Sequence, residues 1–132
     1  MRRLIALVVL CMTVRIAAGQ SARPACDGDL AVIRISQIKP TGTMAGFLKA
    51  QEAHLAWYRS HGYKDNLIYS ARVVIQDPAT RMFKYSDTEI MTFHVRPPSG
   101  IKPDEAWDAY VRQYREHSDI MTEYEVCLPK SR

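Results

Sequence analysis

An α+β domain with the element order β-α-β-β-α-β is what this sequence predicts: a four-stranded antiparallel sheet with two helices on one face. Three observations predict it. Four stretches alternate with period two. Two others repeat apolar residues at spacings of three and four, as amphipathic helices do. Proline and glycine stops separate them. The 132 residues suit a single domain.

The first strand runs over Leu30 to Lys39. Ala31, Ile33 and Ile35 share one face; Val32, Arg34, Ser36 and Ile38 share the other. Pro40 and Gly42 end it. The first helix runs over Thr43 to His61, with Met44, Phe47, Leu48, Gln51, Leu55 and Tyr58 as its stripe. Thr41 or Thr43 caps its start and Gly62 its end. Leu67 to Gln76 is the second strand, followed by a turn at Asp77–Thr80. Arg81 to Ser86 reads equally as hairpin or helical turn. Thr88 to Arg96 is the third strand, stopped by Pro97 and Pro98. The second helix, Pro103 to Ser118, takes Pro103 as its first helical residue and carries Ala106, Trp107, Tyr110, Val111 and Tyr114 inward. Met121 to Leu128 is the last strand, ended by Pro129.

This order is the ferredoxin-like, split βαβ arrangement. Right-handed crossovers place both helices on one sheet face. The first and third strands are then central neighbours, and the fourth pairs with the first. That pairing sets Cys26 beside Cys127 and predicts a disulfide between them. In the third strand, Met91, Phe93 and Val95 are expected to meet the helices. Thr92, His94 and Arg96 are expected on the open face, with Val32, Ile38, Ile68, Val74, Ile90 and Met121. Covering such a face calls for a second copy, as a homodimer.

Residues 1–20 read as a secretory signal: Arg2 and Arg3, an apolar run from Leu4 to Val14, then Ala17, Ala18 and Gly19. The run is too short to span a bilayer, which needs roughly 20 apolar residues. Residues 21–29 form a leader, 30–128 the domain and 129–132 a tail. A secreted or periplasmic location is expected, with no membrane anchorage once the signal is removed. The net charge of +4 is concentrated at the start. Without Arg2, Arg3 and Arg15 the 18 basic residues fall to 15, against 14 acidic. These are interleaved, which excludes a nucleic-acid-binding face.

The strand Ala31–Pro40, the helix end Ala56-Trp57-Tyr58-Arg59-Ser60-His61-Gly62, the strand Met91–Val95 and the helix segment Glu105–Tyr110 carry a resemblance. The chain resembles the dimeric α+β barrel superfamily, and is similar to small proteins of the antibiotic-biosynthesis-monooxygenase type. The resemblance implies a pocket between sheet and helices. That superfamily includes cofactor-free monooxygenases of antibiotic-type substrates, haem-degrading enzymes, lactone isomerases and many small proteins of unknown role.

His94 is the sharpest candidate, as a general base or a ligand to iron or haem. Arg34, Ser36, Thr92 and Arg96 surround it in the strand pattern, and the arginines suit a carboxylate or developing oxyanion. The competing reading is a structural polar cluster with Arg34 paired to Glu123 or Glu125. His54 is a second acid–base candidate, with Trp57 and Tyr58 as pocket wall; Tyr69 and Tyr110 are further lining candidates. His61 and His117 read as helix-end residues favoured by the dipole. Redox Cys-X-X-Cys, phosphate-loop, dinucleotide, nucleophile-elbow and zinc motifs are absent from the sequence. An acylphosphatase phosphate loop is absent as well. The expected function is an exported dimer that binds a small apolar or aromatic ligand. The alternatives are a cofactor-independent monooxygenase-like or haem-handling enzyme and, more distantly, a protease-propeptide-like inhibitor.

Overall fold

The structure is a computed structural model that describes residues 25–130. The signal reading, the first four residues of the leader and the last two of the tail lie outside the described residues. The chain forms β1 (Asp29–Ile38), α1 (Met44–Ser60), β2 (Leu67–Gln76), β3 (Phe83–Val95), α2 (Glu105–His117) and β4 (Ser118–Leu128). The sheet order is β2-β3-β1-β4, with every neighbouring pair antiparallel. This is the expected ferredoxin-like arrangement.

Local chemistry sets the element ends. The Thr43 hydroxyl accepts from the Gly46 N–H at 3.0 Å and caps α1. Gly62 follows with φ +83°, the left-handed conformation that lets the chain leave the helix. The ambiguous residues resolve as hairpin, because Asp77 organises the turn. Its carboxylate accepts from the Ala79 and Thr80 N–H groups, each at 3.0 Å, and β3 begins at Phe83. The second helix starts later than expected. Asp104, not a residue before Pro103, is its cap, accepting from the Trp107 N–H at 2.9 Å. A carboxylate cap there satisfies an otherwise orphan donor, which proline at the first helical position would not. Arg96 lies beyond β3, with φ +52°, and is tied to the Asp65 carbonyl and the Asp29 carboxylate, each at 2.7 Å.

The largest correction concerns which sheet face meets the helices. The register pairs Arg34 with Thr92, Val32 with His94 and Ser36 with Ile90, so these share one face. That face is the covered one: Ile90, Thr92 and His94 are all buried. Ile38 and Ile90 meet Phe47 of α1, and Ile68 joins Trp57, Tyr58 and Tyr110. The open face instead contains Ile33, Ile35, Leu67, Tyr69, Met91, Phe93 and Tyr124. Tyr69 and Phe93 stack across it with centroids 5.0 Å apart. The physical reason is that both faces of β3 carry apolar residues. Alternation separates the faces without saying which one the helices cover.

Hydrogen bonds join the helices at both ends. The Trp57 indole donates to Asp104 at 2.7 Å, while His61 stacks on Trp57 and reaches the same carboxylate at 3.0 Å. At the opposite end, His117 Nδ1 accepts from the Thr43 N–H at 3.1 Å. His61 and His117 thus do more than end their helices: each fixes one helix to the other. Cys26 and Cys127 form a disulfide, with Cα atoms 5.6 Å apart.

Candidate functional site

A cavity of about 360 Å³ lies between the covered sheet face and the helices. Its floor comes from the sheet: Arg34 and Ser36 on β1, Ile68 on β2, Thr92 and His94 on β3, Ser118 and Glu123 on β4. Its roof comes from Phe47 and His54 on α1 and Tyr110, Val111 and Tyr114 on α2. The floor is polar because β1 and β3 turn their mixed faces inward. The roof is aromatic because α2 repeats Tyr110, Val111 and Tyr114 along one stripe.

Five of the eight catalytic or ligand-binding residues expected from sequence line this cavity: Arg34, Ser36, His54, Thr92 and His94. His54 and His94, expected on opposite sides of the sheet, come together with ring centroids 5.4 Å apart. Trp57 and Tyr58 form the neighbouring core instead. Arg96 is held at the sheet end by its Asp29 and Asp65 contacts. Tyr110 is a lining residue, whereas Tyr69 is on the open face.

Both histidines are buried and neutral at neutral pH. Burial lowers His54 to about 3, with further lowering by His94 and Arg34. Burial and then Arg34 lower His94 to about 4. A fixed hydrogen-bond chain supports the neutral form of His94. Arg59 donates to the Asn66 side-chain oxygen at 2.7 Å and to the Asn66 carbonyl at 2.6 Å. Arginine can only donate, so the Asn66 amide must turn its NH2 toward His94 Nε2, 3.4 Å away. His94 Nε2 is therefore the acceptor, and the ring carries its proton on Nδ1. Asn66 is a site residue that the sequence reading missed. It lies just ahead of β2 and matters only through what Arg59 does to its orientation.

His54 stacks on Tyr110 with centroids 4.4 Å apart and planes inclined by 18°. His54 Nε2 and the Tyr110 hydroxyl are buried and make no hydrogen bond among the described residues. Leaving such groups unpaired costs about 1–3 kcal/mol each. Burial raises Tyr110 and Tyr114, so both phenols stay neutral.

At the cavity edge, Arg34 Nε donates to Glu123 Oε2 at 2.5 Å. The expected Arg34–Glu123 pair therefore exists, on the helix side of the sheet. Lys39 pairs with Asp119 at 3.1 Å nearby. No cluster of three or more metal-ligating side chains occurs among the described residues. Haem does not fit the arrangement: His94 Nε2 faces Asn66, and His54 Nε2 is sealed from solvent.

No protein-family profile matches the chain, and no curated protein matches it. Among solved structures it is similar to a phage SAM lyase in complex with S-methyl-5'-thioadenosine. The two share 15% identity over 82% of this chain and 97% of that one, with a TM-score of 0.29. So distant a likeness carries no functional argument.

Proposed function

We propose that the protein is an exported homodimer that binds a small, largely apolar or aromatic molecule between its sheet and its helices. The observation that carries the binding reading is the cavity itself. Its volume of about 360 Å³ falls in the lower part of the usual ligand-pocket range, roughly 300–1,000 Å³. An aromatic roof over a polar floor suits a small organic molecule with an apolar body.

Binding is favoured over proton-transfer catalysis by the state of the histidines. A general base works best when its pKa lies near the working pH. His54 at about 3 and His94 at about 4 are weak bases at neutral pH. They serve better as neutral hydrogen-bonding groups.

The dimer reading rests on the open sheet face, where Leu67, Tyr69 and Tyr124 are each more than two-fifths exposed. A second copy laid face to face would bury them. Export is supported by the Cys26–Cys127 disulfide, a bond favoured in oxidising compartments. Among the described residues no helix is long and apolar enough to cross a membrane.

The test of the binding reading is calorimetry with 2-naphthol. Wild-type protein is expected to bind it with saturable heat, and Val111→Trp, which fills the cavity from the roof, to lose that heat while keeping its thermal transition. Equal binding by wild type and Val111→Trp would overturn the reading.

A further inference from the structure

We infer that the ligand of this cavity carries a carboxylate, held by the Arg34 guanidinium and the Thr92 hydroxyl, with its apolar body beneath Tyr110 and Tyr114. This rests on the cavity being a binding site.

Arg34 and Thr92 are direct partners across the two central strands, so their side chains stand side by side on the cavity floor. Arg34 engages Glu123 through Nε. A guanidinium has five N–H donors in a planar fork, and its terminal edge suits a carboxylate in the two-bond geometry. Thr92 Oγ1 lies 3.4 Å from Ser70 Oγ. Ser70 itself donates to Gln51. Ser70 can then only accept from Thr92, across a long 3.4 Å contact that the single Thr92 hydroxyl hydrogen can leave for a ligand oxygen.

The acidic residues of the rim do not cancel this. Glu123 is half exposed and Asp119 more so, whereas Arg34 is more deeply set. Asp119 is also balanced by Lys39, and Arg115 lines the same rim. The wall registers the difference. After burial, Arg34 is the charge that reaches all of His54, His94, Tyr110 and Tyr114, while the Asp104 carboxylate acts on Tyr110 more strongly than Arg34 does. Neither Glu123 nor Asp119 shifts any of them. Arg34, set deeper than the Glu123 and Asp119 carboxylates, stands among the neutral polar groups of the floor, which favours an anion there over a cation. The roof leaves the rest of the ligand apolar.

The experiment compares 2-naphthoate with methyl 2-naphthoate by calorimetry at pH 7.5. The two differ by one charge on the same ring system. Wild-type protein is expected to bind the acid about tenfold or more tighter, the gain of one charge-assisted contact. Arg34→Gln is expected to erase the preference by bringing the affinity for the acid down to that for the ester. Ester affinity equal to or above that of the acid overturns the carboxylate inference and leaves the cavity reading standing. An acid preference that survives Arg34→Gln overturns it too, because another cation would then be responsible. Binding of neither probe overturns the cavity reading and this inference together. The wild-type comparison does not depend on the variant folding, and Glu123, left unpaired in that variant, already reaches water.

Discussion

The His54 ring of α1 stands edge-on to the His94 ring of β3, with centroids 5.4 Å apart and planes at 82°. Two imidazoles this close and this buried cannot both charge without cost. An unfolded histidine titrates near 6.5. Folding lowers His94 to about 4 and His54 to about 3. Below pH 6.5 the unfolded chain therefore binds more protons than the folded one. Stability is complete above that pH and falls as acid is added, down through about pH 4 for His94 and about pH 3 for His54. Urea unfolding at pH 7.5 and 4.5 should differ by an amount on the order of a few kcal/mol. His94→Gln should flatten part of that slope. A pH-independent stability over this range would contradict the buried, neutral pair.

Asn66 offers a sharper probe of the same pair. Its amide NH2 faces His94 because Arg59 occupies its oxygen. Asn66→Asp replaces that donor with an acceptor and keeps a partner for Arg59. His94 is then expected to titrate higher, by about a unit or more, as read from its ring proton shifts in NMR. An unchanged or lower value would mean that the Asn66 amide does not set the protonation of His94.

The disulfide spans a sequence separation of 101 residues. Closing a loop of that size restricts the unfolded chain by about 4–5 kcal/mol in the entropy model. The double variant Cys26→Ser/Cys127→Ser should lose several kcal/mol in urea unfolding while keeping the same far-ultraviolet circular dichroism. A loss below about 1 kcal/mol would mean that the bond adds little to the β1–β4 ladder that already joins these ends.

Much of the fold was legible because its signals are local. The alternation of Ala31 to Ile38, the stripe through Phe47 and Tyr58, and Gly62 each act within a few residues. The disulfide was legible through topology, since β1 and β4 must pair at their outer ends. What was not legible is the direction of the sheet. Phe93 and His94 are neighbours in an alternating strand with apolar residues on both faces, and only the helices decide between them. Choosing Phe93 for the inside placed His94 at a dimer interface, when it lies beside His54. Asn66 and the paired roles of His61 and His117 were hidden for a related reason: each depends on a partner more than 25 residues away.

Reversing the faces changes where a dimer would form. Tyr69 and Phe93, stacked on the open face, stand at its centre. Light scattering on the wild type is expected to give a dimer mass, and Phe93→Asp a monomer that still unfolds cooperatively. A wild-type monomer at all concentrations would overturn the dimer proposal without touching the cavity.

The central claim is that the working surface of this protein is the cavity between sheet and helices. The measurement that tests it most directly is an NMR titration with 2-naphthoate, following backbone amides of the whole domain. The account predicts saturable shifts centred on Arg34, His54, Thr92, His94 and Tyr110. Shifts confined to the open face around Tyr69 and Phe93, or none at all, would contradict it.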